Sequence, residues 1–362
     1  MAAAGDYSVA SPNSRINVRH IRTALTTRGA SVTDSRSASA ARPGLDEIDL
    51  DPARIAEAAT VIDPVFLNTP QFFDEQLCAR LDRRVLTKVE TLNPLRSFKG
   101  RGASFLLHGF AAGTTVVCGS TGGNFGQAIA YAARRRGLRA VVFLPADASR
   151  VKVRRTAAFG AEIHEVGGSP NEHAREFAAA APRRVFVEDG RETAVAEGAG
   201  TIGIELLRDG PFDTVVLPLG DGALISGVAR WLREHTPDVR VVGAAAVSAP
   251  ALERSWRTGE VVAVDRRNSF AAGISIREPV PVAVARTRAL VDDILLVEDD
   301  ALRAAMRLAA ETLGVLPEPA GAAGLAALAG GGVPGEVAAT VLTGANAEPD
   351  VLARLWDGAR RE

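Results

Sequence analysis

From about residue 46 the chain alternates short, unbroken apolar runs with stretches of helical period. "AVVFLP" (140–145) and "TVVLPLG" (214–220) are continuous apolar runs that end in turn formers, the pattern of strands buried on both faces of a parallel sheet. "FGQAIAYAARRRG" (125–137) predicts a helix closed by arginines and Gly137. "DDALRAAMRLAAETLG" (299–314) predicts another, capped by acids and stopped by Gly314. Strand–helix alternation over most of the chain argues for α/β layers built on parallel sheets. No internal repeat interrupts it.

Length sharpens this picture. At 362 residues the chain exceeds what one hydrophobic core usually organises, so two lobes are expected. Hydrophobic residues at 47% and charged residues at 23% place it among soluble globular proteins. A formal net charge of -1 offers no basic field for nucleic acid or an anionic membrane. No apolar run reaches membrane-spanning length, so no membrane partner is expected. Cys78 and Cys118 are too few for a disulfide framework or a four-ligand zinc site, which suits a reducing cytoplasm. Residues 1–44 stand apart: rich in Ser, Arg and Ala, with Asp6 and Asp34 their only acids, they read as a disordered or targeting-like extension.

Four stretches carry chemistry. "NPLRSFKGRG" (93–102) frames Lys99 between Phe98 and Gly100, with Arg96 and Arg101 close by. A lysine that forms a covalent bond must lose its proton near neutrality, and burial against Phe98 with neighbouring arginine charge would encourage that. "CGSTGGNFGQAIAYAA" (118–133) runs from a strand through a Gly, Ser, Thr and Asn loop into a helix, the geometry of an anion site. "LPLGDGALISGVARWL" (217–232) repeats that arrangement but lacks the ending of a nucleoside-triphosphate loop and the dinucleotide fingerprint. "VLTGANAEPD" (341–350) delivers the Thr343 hydroxyl into a tight turn, where it can meet a ring nitrogen without holding a full charge against it. Taken singly, each is better explained by an ordinary turn or a snorkelling lysine. Together they form the parts list for pyridoxal phosphate.

The sequence resembles the fold type II pyridoxal-phosphate enzymes, the tryptophan synthase β group, and within them the threonine/serine dehydratases and serine racemase. "SFKGRGA" looks like the family's lysine motif, "STGGNFGQAIAYAA" its asparagine loop and "LGDGALISG" its phosphate loop. "FAAGISIREP" (270–279) and residues 291–328 look like dehydratase segments, and "LTGAN" closes the set. The resemblance implies two α/β lobes of parallel sheets flanked by helices. The large, cofactor-binding lobe would hold residues 45–107 and 195–362, and a small mobile lobe 108–194. It implies that Lys99 is the Schiff-base lysine and the base for the Cα proton, beside Phe98. Asn124 would bond the cofactor's 3-hydroxyl oxygen. Ser120, Thr121, Gly122, Gly123, Asn124 and Phe125 would receive the substrate carboxylate. Gly220, Asp221, Gly222, Ala223 and Leu224 would take the phosphate on their amides, Gly273 and Glu318 would line the ring, and Thr343 would face its nitrogen.

Departures from the family pattern qualify these roles. Gly122 stands where the family usually carries Ser, Thr or Asp, which in serine racemase is the acid–base group opposite the lysine, so racemisation is not expected. Asp221 replaces a glycine in the phosphate loop, and repulsion from a phosphate dianion implies that its carboxylate turns outward. Ala245, Ala249 and Ala251 stand at the racemase-like metal positions, so no metal is expected. Ala272 stands where an Asp commonly precedes Gly273. The chain ends soon after "LTGAN", so no regulatory domain answering to isoleucine is expected. The implied activity is β-elimination on a small hydroxy amino acid, of the L-threonine/L-serine ammonia-lyase type, by a homodimer. The alternative is β-replacement through an aminoacrylate, as in a cysteine-synthase-like or diaminopropionate-forming enzyme.

Overall fold

The computed structural model describes residues 43–120, 123–265 and 270–357. Its strands are β1 (Gln71–Phe73), β2 (Arg84–Val89), β3 (Thr115–Gly119), β4 (Arg139–Pro145), β5 (Glu162–Val166), β6 (Arg184–Phe186), β7 (Thr214–Pro218), β8 (Arg240–Ala246), β9 (Asp293–Val297) and β10 (Val337–Leu342). They form a six-stranded sheet in the order β1-β2-β10-β7-β8-β9 and a four-stranded sheet in the order β5-β4-β3-β6. Only β1 runs antiparallel to its neighbour among the described strands. Strand β7, the "TVVLP" of the apolar run, is buried at every residue because helices cover both faces of its sheet.

The two helices anticipated from the sequence form close to their expected limits. One spans Asn124–Arg135, entered through Gly123 at a φ of 86°. The other spans Asp299–Leu313 and stops at Gly314, whose φ of 64° is a left-handed cap. Asp299 and Asp300 lie in its first turn, where they complement the helix dipole, but no side chain makes an N-cap bond there. The expectation for the N-terminal extension falls, apart from residues 43 and 44, outside the described residues.

Close helix packing sets the site's position. Helix Lys99–His108 crosses helix Thr193–Leu206 backbone to backbone: a Cβ at Gly198 would lie 2.8 Å from the Arg101 carbonyl oxygen. No other residue type permits that approach. Arg101 rivets the crossing. Its guanidinium spans Glu90 (2.8 and 2.9 Å) and Glu205 (2.7 and 2.9 Å), and Lys88 adds a 2.6 Å ion pair to Glu205. Thr69 and Thr201 complete this fully buried network. It lies behind the lysine, not beside it.

Candidate active site

The lysine loop is built by its own side chains and by β10. Asn93 Oδ1 accepts from the Leu95 amide at 3.0 Å, and its Nδ2 donates to the carbonyls of Glu90 and Ser97. Arg96 takes a φ of 51°, turning the chain so that Phe98 N donates to the Thr343 carbonyl (3.0 Å) and Ala345 N to the Arg96 carbonyl (2.9 Å). The segments "RSFK" and "LTGAN" are thus laced together, although some 240 residues of sequence separate them. Lys99 opens the helix Lys99–His108, with its ammonium 4.8 Å from the Phe98 ring centroid.

One cavity, of about 160 Å³, collects most of the residues singled out from sequence. Phe98, Lys99, Ser120, Gly123, Asn124, Phe125, Gly220, Asp221, Gly222, Leu224, Gly273, Glu318 and Thr343 all line it. Ala223 enters through its amide, in the same loop ahead of helix Ala223–His235. Thr121 and Gly122 lie outside the described residues. Gly220 is required by crowding: a Cβ there would stand 2.9 Å from the Gly273 carbonyl oxygen. These pieces come from the ends of β3 and β7 and from the turn after β10, the carboxyl ends of parallel strands, where α/β sheets bind ligands.

The electrostatics correct two expectations. The Lys99 ammonium lies 2.7 Å from Asp189 and 2.9 Å from Asp221. Burial alone would depress its pKa, yet the two carboxylates overcome that and push it up. The Arg101 charge is taken up by Glu90 and Glu205, and the charge of Arg96 bears on Arg155. The second correction is Asp221, whose carboxylate turns inward. Oδ2 meets Lys99, while Oδ1 accepts from the Ala223 amide at 2.9 Å. Burial raises the Asp221 pKa, but Lys99 and that amide outweigh it and hold the group below the usual range. Asp189 absorbs the difference: burial and the Asp221 charge push it up to about 7 against the pull of Lys99. Its Oδ1 is buried without a hydrogen-bond partner.

Opposite the lysine stands a chain of amides. Asn124 Nδ2 donates to Glu318 Oε1 (2.6 Å), and Asn124 Oδ1 accepts from Asn346 Nδ2 (2.7 Å). Asn346 also donates to the Leu95 carbonyl and accepts from Arg155 of helix Arg150–Ala158. Burial raises the Glu318 pKa despite the Asn124 bond.

Two of these residues, Asp189 and Arg155, went unremarked in the sequence, and Asn346 stood in the "LTGAN" turn without a role. Asp189 had a signal, since "VFVEDG" (185–190) is an apolar run broken by acids and a glycine at the end of β6. Arg155 had none.

A family model described as "Pyridoxal-phosphate dependent enzyme" matches residues 62–344. The chain is 30% identical over 280 residues to the biosynthetic L-threonine dehydratase of Pasteurella multocida, covering 75% of this chain and 55% of that protein. It is 32% identical over 284 residues to a serine racemase of Oryza sativa subsp. indica, covering 75% and 82%. It therefore spans little more than half the length of that dehydratase. Among solved structures, maize serine racemase aligns with a TM-score of 0.79 at 27% identity, covering 84% of this chain and 96% of that one. The threonine deaminase of T.th. aligns with a TM-score of 0.77 at 29% identity, covering 84% and 99%. The chain belongs to the pyridoxal-phosphate dependent enzyme family.

Proposed function

We propose that this chain catalyses β-elimination on a small L-hydroxy amino acid, threonine or serine, releasing a 2-oxo acid and ammonia. The observation that carries the reading is the buried Lys99 sharing one cavity with an asparagine, a neutral hydroxyl and a glycine-rich helix entry. The donor set fits pyridoxal phosphate: Lys99 offers a primary amine, Gly220–Leu224 offer amides at a helix N-terminus, and Asn124 offers an amide to a ring oxygen. The inward Asp221 carboxylate, which holds one of those amides, must move aside. When bound, the cofactor supplies an aldehyde that a primary amine can capture and a sink for charge at the substrate Cα.

The chain supplies the rest. The entry to helix Asn124–Arg135 receives the substrate carboxylate on amides that no intrahelical acceptor satisfies. With the cofactor bound, Lys99 would be the group placed to take the Cα proton, from its position on the cavity wall. Thr343 would offer a neutral hydroxyl to the ring nitrogen, so no ion pair would form there and prompt departure of the β-hydroxyl would be favoured. The four-stranded sheet, with its helices, forms the small lobe (108–194) and closes over substrate. We read the working unit as a cytoplasmic homodimer on the strength of the resemblance; no helix among the described residues is long and apolar enough to cross a membrane.

The experiment is an absorption titration of the purified full chain with pyridoxal phosphate, then with L-threonine or L-serine, with 2-oxo acid assayed in the same cuvette. Accumulating 2-oxo acid supports elimination. Product that forms only with an added thiol or amine replaces this reading with β-replacement.

A further inference from the structure

Asp221 occupies two positions that an anionic carbonyl cofactor needs. Its Oδ1 accepts the amide proton of Ala223 at 2.9 Å, at the N-terminus of helix Ala223–His235. Its Oδ2 lies 2.9 Å from the Lys99 ammonium. Gly222, at a φ of 91°, folds the loop back so that one carboxylate can reach both. Lys99 is the only cation among the described residues that line the cavity. A phosphate dianion on the same amides would therefore meet the Asp221 charge at contact range, with no second cation to screen it. The Asp221 backbone packs against the neighbouring loop: a Cβ at Gly190 would lie 2.7 Å from the Asp221 carbonyl oxygen, so a swing of the side chain is the smaller rearrangement.

We propose that Asp221 is an internal placeholder for the cofactor's phosphate, holding the Ala223 amide and the Lys99 amine in the cofactor-free protein. Loading requires its carboxylate to swing out, and Asp221 thereby sets the affinity of the chain for its cofactor. The proposal rests on the pyridoxal-phosphate reading of the site and adds a loading step to it. A glycine at this position would leave the amides open, and an asparagine would keep the shape without the charge.

The test compares the cofactor-free full chain with Asp221→Asn and Asp221→Gly. Dissociation constants are read from the visible absorbance of Lys99-linked cofactor, with pyridoxal phosphate and with pyridoxal, which lacks the phosphate. Both variants should bind pyridoxal phosphate about tenfold tighter or more, with a much smaller gain for pyridoxal. Equal gains for both ligands would overturn the placeholder, because Asp221 would then act on Lys99 alone. Unchanged or weaker binding of pyridoxal phosphate would overturn it outright. A separate arm follows thermal midpoints against inorganic phosphate, expected to rise more in the two variants than in the unaltered chain. That arm needs no covalent link. If no chain links pyridoxal phosphate, the functional reading falls, and the phosphate arm alone decides the placeholder.

Discussion

Lys99 and Arg101 sit two residues apart on one helix, and each faces two carboxylates, yet the two clusters do opposite things. Around Arg101, Glu90 and Glu205 are met by bidentate and charge-assisted hydrogen bonds, Thr69, Thr201 and Lys88 take up what is left, and Arg101 and Glu90 are wholly buried. Around Lys99, Asp189 keeps a buried oxygen without a partner, the carboxylates are crowded enough to retain a proton, and the group opens into a cavity. A satisfied ion network fixes a helix crossing. An under-satisfied one stores the capacity to rearrange when a ligand arrives.

The largest effect that would break this contrast is at the lysine. Lys99→Ala should abolish covalent attachment of the cofactor and lower turnover by three orders of magnitude or more, about the range of a lost acid–base group. Its visible absorbance and 2-oxo acid production are the readouts, and retained activity would remove Lys99 from the chemistry. Arg101→Ala should act on the fold instead. It strands two buried carboxylates, and stability should fall by about 3–5 kcal/mol in urea denaturation. A loss under about 1 kcal/mol would mean that the network is ornamental.

The clusters should also differ in the sign of their pH dependence. Although burial opposes it, Arg101 and Lys88 hold Glu205 down to about 2, against 4.5 in the unfolded chain. Its contribution is present above about pH 4.5 and is lost as pH falls toward 2. Asp189 is pushed up to about 7 from 3.8, so the folded protein keeps a proton that the unfolded chain releases. Its contribution declines as pH rises from about 4 to 7. In the cofactor-free protein, Asp189→Asn should flatten the fall of the thermal midpoint between pH 4 and 7 while leaving the drop below pH 4.5 unchanged. Identical profiles for the two proteins would show that Asp189 titrates normally.

Much of this was legible in the sequence, and the illegible part has one cause. The strand and helix limits near 140, 214, 125 and 299 follow from local apolar period and glycine stops, which a single sequence displays. The four loops were legible only in combination, since each alone reads as an ordinary turn or a snorkelling lysine. The environment of Lys99 was misread because neighbours in sequence stood in for neighbours in space. Arg101 is next but one to Lys99, but the helix carries its side chain to Glu90 and Glu205, while Asp189 and Asp221 arrive from the ends of β6 and β7. Asp221 turns inward for the same reason. Lys99, 122 residues earlier in the sequence, lies 2.9 Å from its carboxylate, and the helix N-terminus at Ala223 attracts it as well.

The smallest effect tests whether the amide chain opposite Lys99 behaves like the satisfied cluster or the poised one. Asn346 joins Asn124 to the Leu95 carbonyl and accepts from Arg155, so it ties the asparagine loop and helix Arg150–Ala158 to the lysine loop. Each bond contributes about 1 kcal/mol, and Asn346→Ala should lower stability by about 1–2 kcal/mol. If the chain only braces the fold, cofactor affinity and KM should not change. If it holds Asn124 in position for the cofactor, affinity should weaken several-fold while KM for the amino acid rises. We expect the second result, because Asn124 Oδ1 takes its bond from Asn346 and Nδ2 is already engaged by Glu318. With Asn346 removed, the Asn124 amide keeps only its Nδ2 bond to Glu318, and the side chain expected to meet the cofactor loses one of the two bonds that orient it before the fold loses much stability.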